Sequence, residues 1–285
     1  MKAIMTARVY ALVNQKGGVG KTTTAVNLSA YLGKWGLRTL LVDLDPQANA
    51  TSSLGVDKYK VRGGTYEVLL GMAPAAAYVL YNPRLHISLL PATPALAGAE
   101  VELVNELARE TRLRKALTPL LERYDYIFLD CPPSLGLLTL NGLVAALHGV
   151  IIPVQAEYLA LEGLGMLMQT IRKVREALNP GLKVRGVVIT MYDGRTRLSR
   201  DVVEEVRSYF GDVVFQSLIP RSVRLAEAPS HGLPVAVYAP SSAGARAYAA
   251  LARELLAGDG RWPPDEARPA GRGAGSPPQT PRLDL

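Results

Sequence analysis

Short apolar runs alternate along the chain with stretches in which apolar residues recur every three or four positions. Residues 9–13, 39–43, 86–90, 126–130, 150–154, 184–191 and 213–219 read as strands. Between them, residues 21–34, 96–107, 135–147, 161–178, 200–209 and 243–256 carry helical spacing. This alternation predicts βαβ units around a sheet, and the nearly all-apolar strands predict helices covering both of its faces. The expected fold is a three-layer α/β/α domain with a mostly parallel, twisted sheet. In such sheets ligands gather beyond the carboxyl ends of the strands.

With 285 residues, 48% of them hydrophobic, the chain has material for one large core, since cores grow to roughly 250–300 residues before chains divide. One domain is expected over 1–257. The Pro-, Gly- and Arg-rich stretch 258–285 cannot bury enough apolar surface to offset its ordering entropy and reads as a disordered tail. No apolar run reaches the roughly 20 residues of a membrane span, and the first residues lack the long apolar stretch of a secretory signal. The expectation is a cytoplasmic protein with no membrane partner. A single cysteine, Cys131, excludes an internal disulfide and an iron–sulfur cluster held by one chain. The net charge of +7 favours a polyanionic partner, with a merely solubilising surface as the alternative. His86, His148 and His231 are too dispersed to suggest a metal site.

The sharpest chemical feature follows the first apolar run: Lys16-Gly17-Gly18-Val19-Gly20-Lys21-Thr22-Thr23. A Gly-rich turn between strand and helix exposes consecutive backbone N–H groups, which form an anion site with the positive end of the helix. Gly20-Lys21-Thr22 fits the ending of G-x-x-x-x-G-K-[ST], whose lysine reaches the β- and γ-phosphates and whose hydroxyl binds Mg²⁺. Gln15 occupies the place of the first glycine, and Lys16 is additional. Two ammonium groups crowd one another at the same oxygens, so one of the lysines is expected to point elsewhere.

Two strand ends add carboxylates. After the run 39–43, Asp45 is the candidate for orienting an attacking water, and Pro46 starts a loop. Asp43 shares a side with Asp45 by strand alternation and either supports that loop or reaches Mg²⁺ through water. The run 126–130 ends in Asp130, held at the sheet edge where it can bind Mg²⁺ directly or through water. Cys131 reads as a small buried hydrophobe, and Pro132-Pro133 forces an abrupt exit.

The two-lysine loop resembles the deviant Walker A motif of the ParA/MinD/nitrogenase-iron-protein family of P-loop NTPases. Residues 217–232, SLIPRSVRLAEAPSHG, resemble the IPRNVRLSEAPSHG segment of the chromosomal ParA (Soj) branch. The likeness covers roughly residues 8–257. It implies a Mg²⁺-dependent ATPase with ATP as cofactor. Lys16, Gly17, Gly18, Val19, Gly20, Lys21, Thr22 and Thr23 would surround the phosphates, and Pro220 and Ser222 would lie against the adenine. Thr22 and Asp130 would hold the metal, with Asp45 through water. Ser222 replaces the family's asparagine and offers fewer hydrogen-bonding groups.

The same resemblance implies an ATP-dependent homodimer, with Lys16 crossing to the partner's nucleotide and Gly17 leaving room for that approach. Lys16, Lys21 and Asp45 would serve catalysis. Nonspecific double-stranded DNA would be bound through Arg195 and Arg224, with Arg197, Arg200 and Arg221 able to widen the patch. A solvated basic rim is the alternative for any single arginine. A ParB/Spo0J-type centromere-binding partner would stimulate hydrolysis and release DNA, in a nucleoid-associated chromosome-partitioning switch. Two related functions compete: a MinD-like membrane-surface ATPase, for which the Pro/Gly-rich end supplies no amphipathic helix, and a ParA-like positioning scaffold for a plasmid or protein cargo. The single cysteine argues against an iron-protein role.

Overall fold

Successive side chains of the first strand pack on opposite sides of a sheet, and this sets the layering. The computed structural model describes residues 6–158 and 160–261. Its first half contains β1 (Arg8–Leu12), α1 (Lys21–Lys34), β2 (Thr39–Asp43), α2 (Asn49–Ser53), α3 (Thr65–Leu69), β3 (Leu80–Asn82), β4 (Ile87–Leu90), α4 (Leu96–Glu102), α5 (Arg112–Leu117) and β5 (Tyr126–Asp130). The second contains α6 (Leu137–Ala145), β6 (Gly149–Gln155), α7 (Leu164–Ala177), β7 (Val184–Thr190), α8 (Arg197–Phe210), α9 (Val223–Glu227), α10 (Val235–Tyr238) and α11 (Ala243–Gly258).

The strands form one sheet in the order β3-β4-β2-β5-β1-β6-β7. All neighbouring pairs are parallel except β3 with β4. Val9, Ala11 and Val13 face a core completed by α5, α6, α7 and α8, while Tyr10 and Leu12 face α1 and α11. The three-layer α/β/α architecture expected from the alternating pattern is therefore the one observed. On α7, Leu164, Leu167, Ile171 and Val174 form the buried stripe at helical spacing; each such side chain contributes about 1.5–3 kcal/mol by leaving water.

One expected strand does not form. Residues 213–219 run beside β7 with only isolated bridges, Val187 to Val214 and Tyr192 to Pro220. The Glu254 carboxylate accepts the N–H groups of Gln216 at 2.6 Å and Ser217 at 3.1 Å, which takes those donors out of any ladder. The seventh strand is instead the short antiparallel β3. The helix expected over 96–107 also ends early, at Glu102; the chain then makes a 3₁₀ turn and passes through Ala108 at φ 53°. The helix expected over 200–209 begins three residues sooner, because Thr196 caps it by accepting the Ser199 N–H.

Packing continues beyond residue 257. α11 runs to Gly258, and Asp259 accepts hydrogen bonds from the Tyr10 hydroxyl at 2.7 Å, the Tyr126 hydroxyl at 2.9 Å and Arg185 Nε at 2.9 Å. Arg261 lies over the Tyr126 ring at 4.8 Å. The expected boundary is thus too early, because an acid and an arginine that look like tail composition find buried partners at the strand starts. The rest of the expected tail, 262–285, lies outside the described residues.

Candidate functional site

The phosphate-loop sequence lies between β1 and α1, at the carboxyl end of the central strand. Gly18 at φ 75° and Gly20 at φ 87° occupy the left-handed region, which a Cβ disfavours. Gly20 precedes the first turn of α1 without a side-chain cap, leaving the helix N–H groups open to an anion. Gly17 differs: its φ is not positive, and a Cβ added there would meet nothing within 4 Å. Nothing inside the protomer requires glycine at that position.

The two lysines have separate environments. Lys21 is buried, and its ammonium donates to the Lys16 carbonyl at 3.1 Å. Burial lowers its pKa, opposed by the nearby carboxylates of Asp130 and Asp45. The Lys16 side chain is exposed. Two residues that the motif does not contain brace the loop. Asn14 accepts the Lys16 N–H at 3.0 Å and donates to the Pro153 carbonyl at 2.7 Å. Thr190 donates to the Val19 carbonyl at 2.8 Å, fastening the loop to the end of β7. Asn14 stands one residue beyond an apolar run, which is a weak signal; Thr190 carries none, because its partner is 171 residues away.

Asp130 ends β5 beside Asp43 at the end of β2, and both carboxylates are fully buried. Thr22 Oγ1 donates to Asp130 Oδ2 at 2.7 Å. The other oxygen, Oδ1, is buried without a hydrogen-bond partner, an arrangement that costs free energy unless a cation or donor fills it. Burial raises the Asp130 pKa well above the carboxylate range, and the Asp43 charge raises it further; the Thr22 bond opposes both. A cation would reverse that balance. One carboxylate and one hydroxyl, with ligand and water oxygens, fit the habit of Mg²⁺. Among the described residues no group of three or more His, Cys, Asp or Glu is arranged to hold a metal. Cys131, next in the chain, is buried, and desolvation raises its thiol pKa, consistent with a packing role.

Asp45 is buried, and its Oδ1 accepts the Gln47 N–H at 2.9 Å. Asp43 is turned away from solvent and onto Thr51, accepting from its N–H at 2.8 Å and its hydroxyl at 2.7 Å. Of the two uses open to Asp43, the contacts favour loop support. Pro220 forms the bridge with Tyr192 at the edge near β7 and Ser222 lies two residues beyond it, both half-buried. Ser222 makes no side-chain cap to α9.

The described part of the chain matches a family model described as an AAA domain over residues 7–184. The Soj protein of Bacillus subtilis, described as a sporulation initiation inhibitor, is 52% identical over 250 residues, covering 88% of this chain and 98% of that protein. The chromosome partitioning protein ParA of Myxococcus xanthus is 53% identical over 252 residues, covering 88% and 89%. This chain belongs to the ParA/Soj family of chromosome-partitioning ATPases. Among solved structures, a cobyrinic acid a,c-diamide synthase of Mycobacterium smegmatis with bound ADP and magnesium superposes with TM-score 0.76 at 43% identity, covering 86% of this chain and 92% of that one.

The residues that the ParA resemblance assigns to DNA lie on exposed segments, each with an acid beside it. Arg195 precedes α8 and makes a two-pronged contact with Asp193, at 2.9 and 2.7 Å. This bond holds the Asp193 carboxyl down at about 2. Arg224, on α9, bonds Glu227 at 2.9 Å, and Glu227 also accepts the Tyr238 hydroxyl. Arg221 pairs with Glu157 and Arg197 with Asp201, while Arg200 donates to the Gly194 carbonyl. Among the described residues no helix is long and apolar enough to cross a membrane.

Proposed function

We propose that this ParA/Soj-family chain is an ATP-driven switch for moving DNA. ATP and Mg²⁺ bind, two protomers close over the nucleotides, the dimer holds DNA without sequence preference, and hydrolysis separates it. The separation of the two loop lysines carries this reading. Lys21 is packed into its own loop, Lys16 is exposed, and Gly17 beside it has no partner inside the protomer that would exclude a side chain. A second protomer approaching over Gly17 accounts for both features.

In this reading Lys21 and the N–H groups of Gly18 to Thr23 bind the phosphates. Thr22 and the unpaired oxygen of Asp130 would hold Mg²⁺, which would supply neutralisation of phosphate charge. Asp45 orients the water, Lys16 reaches the partner's phosphates, and Pro220 and Ser222 border the base. Dimerisation brings two copies of the Arg195 and Arg224 surface to one duplex. The phosphate contacts of two linked halves reinforce one another, so nucleotide state sets DNA affinity. A ParB-type partner stimulates release, and the protein works in the cytoplasm on the nucleoid.

The test is binding of Asp45→Ala to a random-sequence duplex with ATP and with ADP, at two salt concentrations, with the mass recorded in each state. Binding by a dimer, with ATP only and weakening by about 10³-fold or more from ~50 to ~200 mM salt, is expected if six or more phosphates are contacted. ATP-dependent dimers that leave DNA free would transfer the switch to another cargo, such as a protein assembly or a membrane surface.

A further inference from the structure

Asp45 belongs to a loop whose two ends are held by one buried side chain. Asp43, the last residue of β2, accepts the Asp45 N–H through Oδ1 at 3.1 Å and both the N–H and hydroxyl of Thr51 through Oδ2. Thr51 is fully buried in α2, and its Oγ1 in turn accepts the Ala92 N–H at 3.0 Å, just beyond β4. With Ala92 donating to it, the Thr51 hydroxyl has its proton directed at Asp43. Thr65 adds a further tie, donating to the Asp43 and Pro91 carbonyls. Between these anchors the chain turns sharply: Ala48 adopts φ 53°, and its N–H bonds the Asp45 carbonyl at 2.8 Å.

We infer that Thr51, acting through Asp43, is a positioning residue that fixes the Asp45 segment at the end of β2. This rests on the role proposed above for Asp45. Asp43 already accepts from three donors, two of them supplied by Thr51, eight residues from it along the chain. What the pair can do is hold residue 45 in register with β2 while anchoring α2 against the loop after β4. Without the hydroxyl, Asp43 keeps only the Thr51 N–H on that oxygen and the Ala92 N–H loses its acceptor. The segment then gains freedom without losing any group expected to touch nucleotide, and small displacements of a reacting group are costly to rate.

The experiment uses the full chain with ATP and Mg²⁺. Thr51→Val removes the hydroxyl at nearly constant volume, and Thr51→Ser retains it. Thr51→Val is expected to lower kcat roughly tenfold with KM for ATP within about twofold, as an interaction felt at the transition state requires. Thr51→Ser should restore turnover. Amide exchange over residues 44–52 should quicken in the valine variant and stay slow in the serine variant. Reduced thermal stability with unchanged kcat, or kcat and KM changing together, would overturn the inference. If Thr51→Val does not fold, Asp43→Asn, whose amide can accept on one side only and so leaves either the Asp45 N–H or the Thr51 donors without an acceptor, carries the same expectations. Wild-type turnover in the same assay reports separately on the ATPase reading, and the exchange comparison decides the brace even if turnover is absent.

Discussion

Lys21 and Lys16 meet through one hydrogen bond, the Lys21 ammonium donating to the main-chain oxygen of Lys16 at 3.1 Å. The Lys16 side chain is thereby left outside its own loop, and substitutions at the two positions should differ in kind. Lys21→Ala is expected to weaken nucleotide binding by at least about tenfold, since a desolvated charge-assisted contact is lost. Lys16→Ala and Gly17→Val should bind ATP near wild-type affinity and remain monomeric. A Gly17→Val melting temperature close to wild type, measured with equilibrium nucleotide binding and light scattering, checks that the effect arises between protomers.

The acids beside the arginines give a second expectation. Arg195→Glu or Arg224→Glu should dimerise normally and lose DNA, each lowering the magnitude of the log K against log salt slope by about 1 for every phosphate contact removed. Asp193→Asn and Glu227→Gln should act in the opposite direction, tightening DNA binding a few-fold, because a fork held by a carboxylate must exchange it for phosphate. Fluorescence anisotropy on a random duplex across a salt series measures both.

The Asp259 carboxylate is buried against Arg185, Tyr10 and Tyr126. Asp259→Ala leaves a largely buried guanidinium without its counter-ion and should cost about 3 kcal/mol of unfolding free energy in urea. A chain ending at Ala257 should show a similar loss, placing the working end of the domain beyond that residue.

His148 supplies a pH signature. Its Nδ1 accepts the Val9 N–H at 3.1 Å, which requires the neutral ring. Burial, followed by the Arg8 charge, lowers its pKa below the ordinary value. The unfolded chain therefore takes up this proton first as pH falls. The contribution is complete above about pH 7.5 and declines as pH drops through about 6.5 toward the lower folded value. The buried Asp43 carboxyl, with its pKa raised by desolvation, acts oppositely, losing stability as pH rises. Urea midpoints for wild type and His148→Gln across this range isolate the histidine: the wild-type curve should fall more steeply toward acid.

Legibility followed range along the chain. The phosphate loop and the strand-terminal Asp130 and Asp45 were visible because backbone turn, helix start and carboxylate lie within a few residues of one another. The strand expected over 213–219 failed because Glu254, far away in sequence, captured two of its N–H groups. The 258–261 segment was misassigned for a similar reason: an aspartate and an arginine count as tail composition until the strand starts provide their partners.

Local order in the sequence was enough to determine that this is a three-layer α/β/α domain with a phosphate loop containing one lysine too many for one site. Hydrophobic period and glycine spacing act over neighbouring residues, so they are readable without a fold. Which lysine turns inward, which aspartate keeps an unpaired oxygen and which is clamped by Thr51, and what braces the loop through Asn14 and Thr190 were decided only in the tertiary structure. Those choices depend on hydrogen-bond donors and acceptors brought together by sheet register across as many as 171 residues, where a polar group's partner is set by packing rather than by its neighbours in the chain.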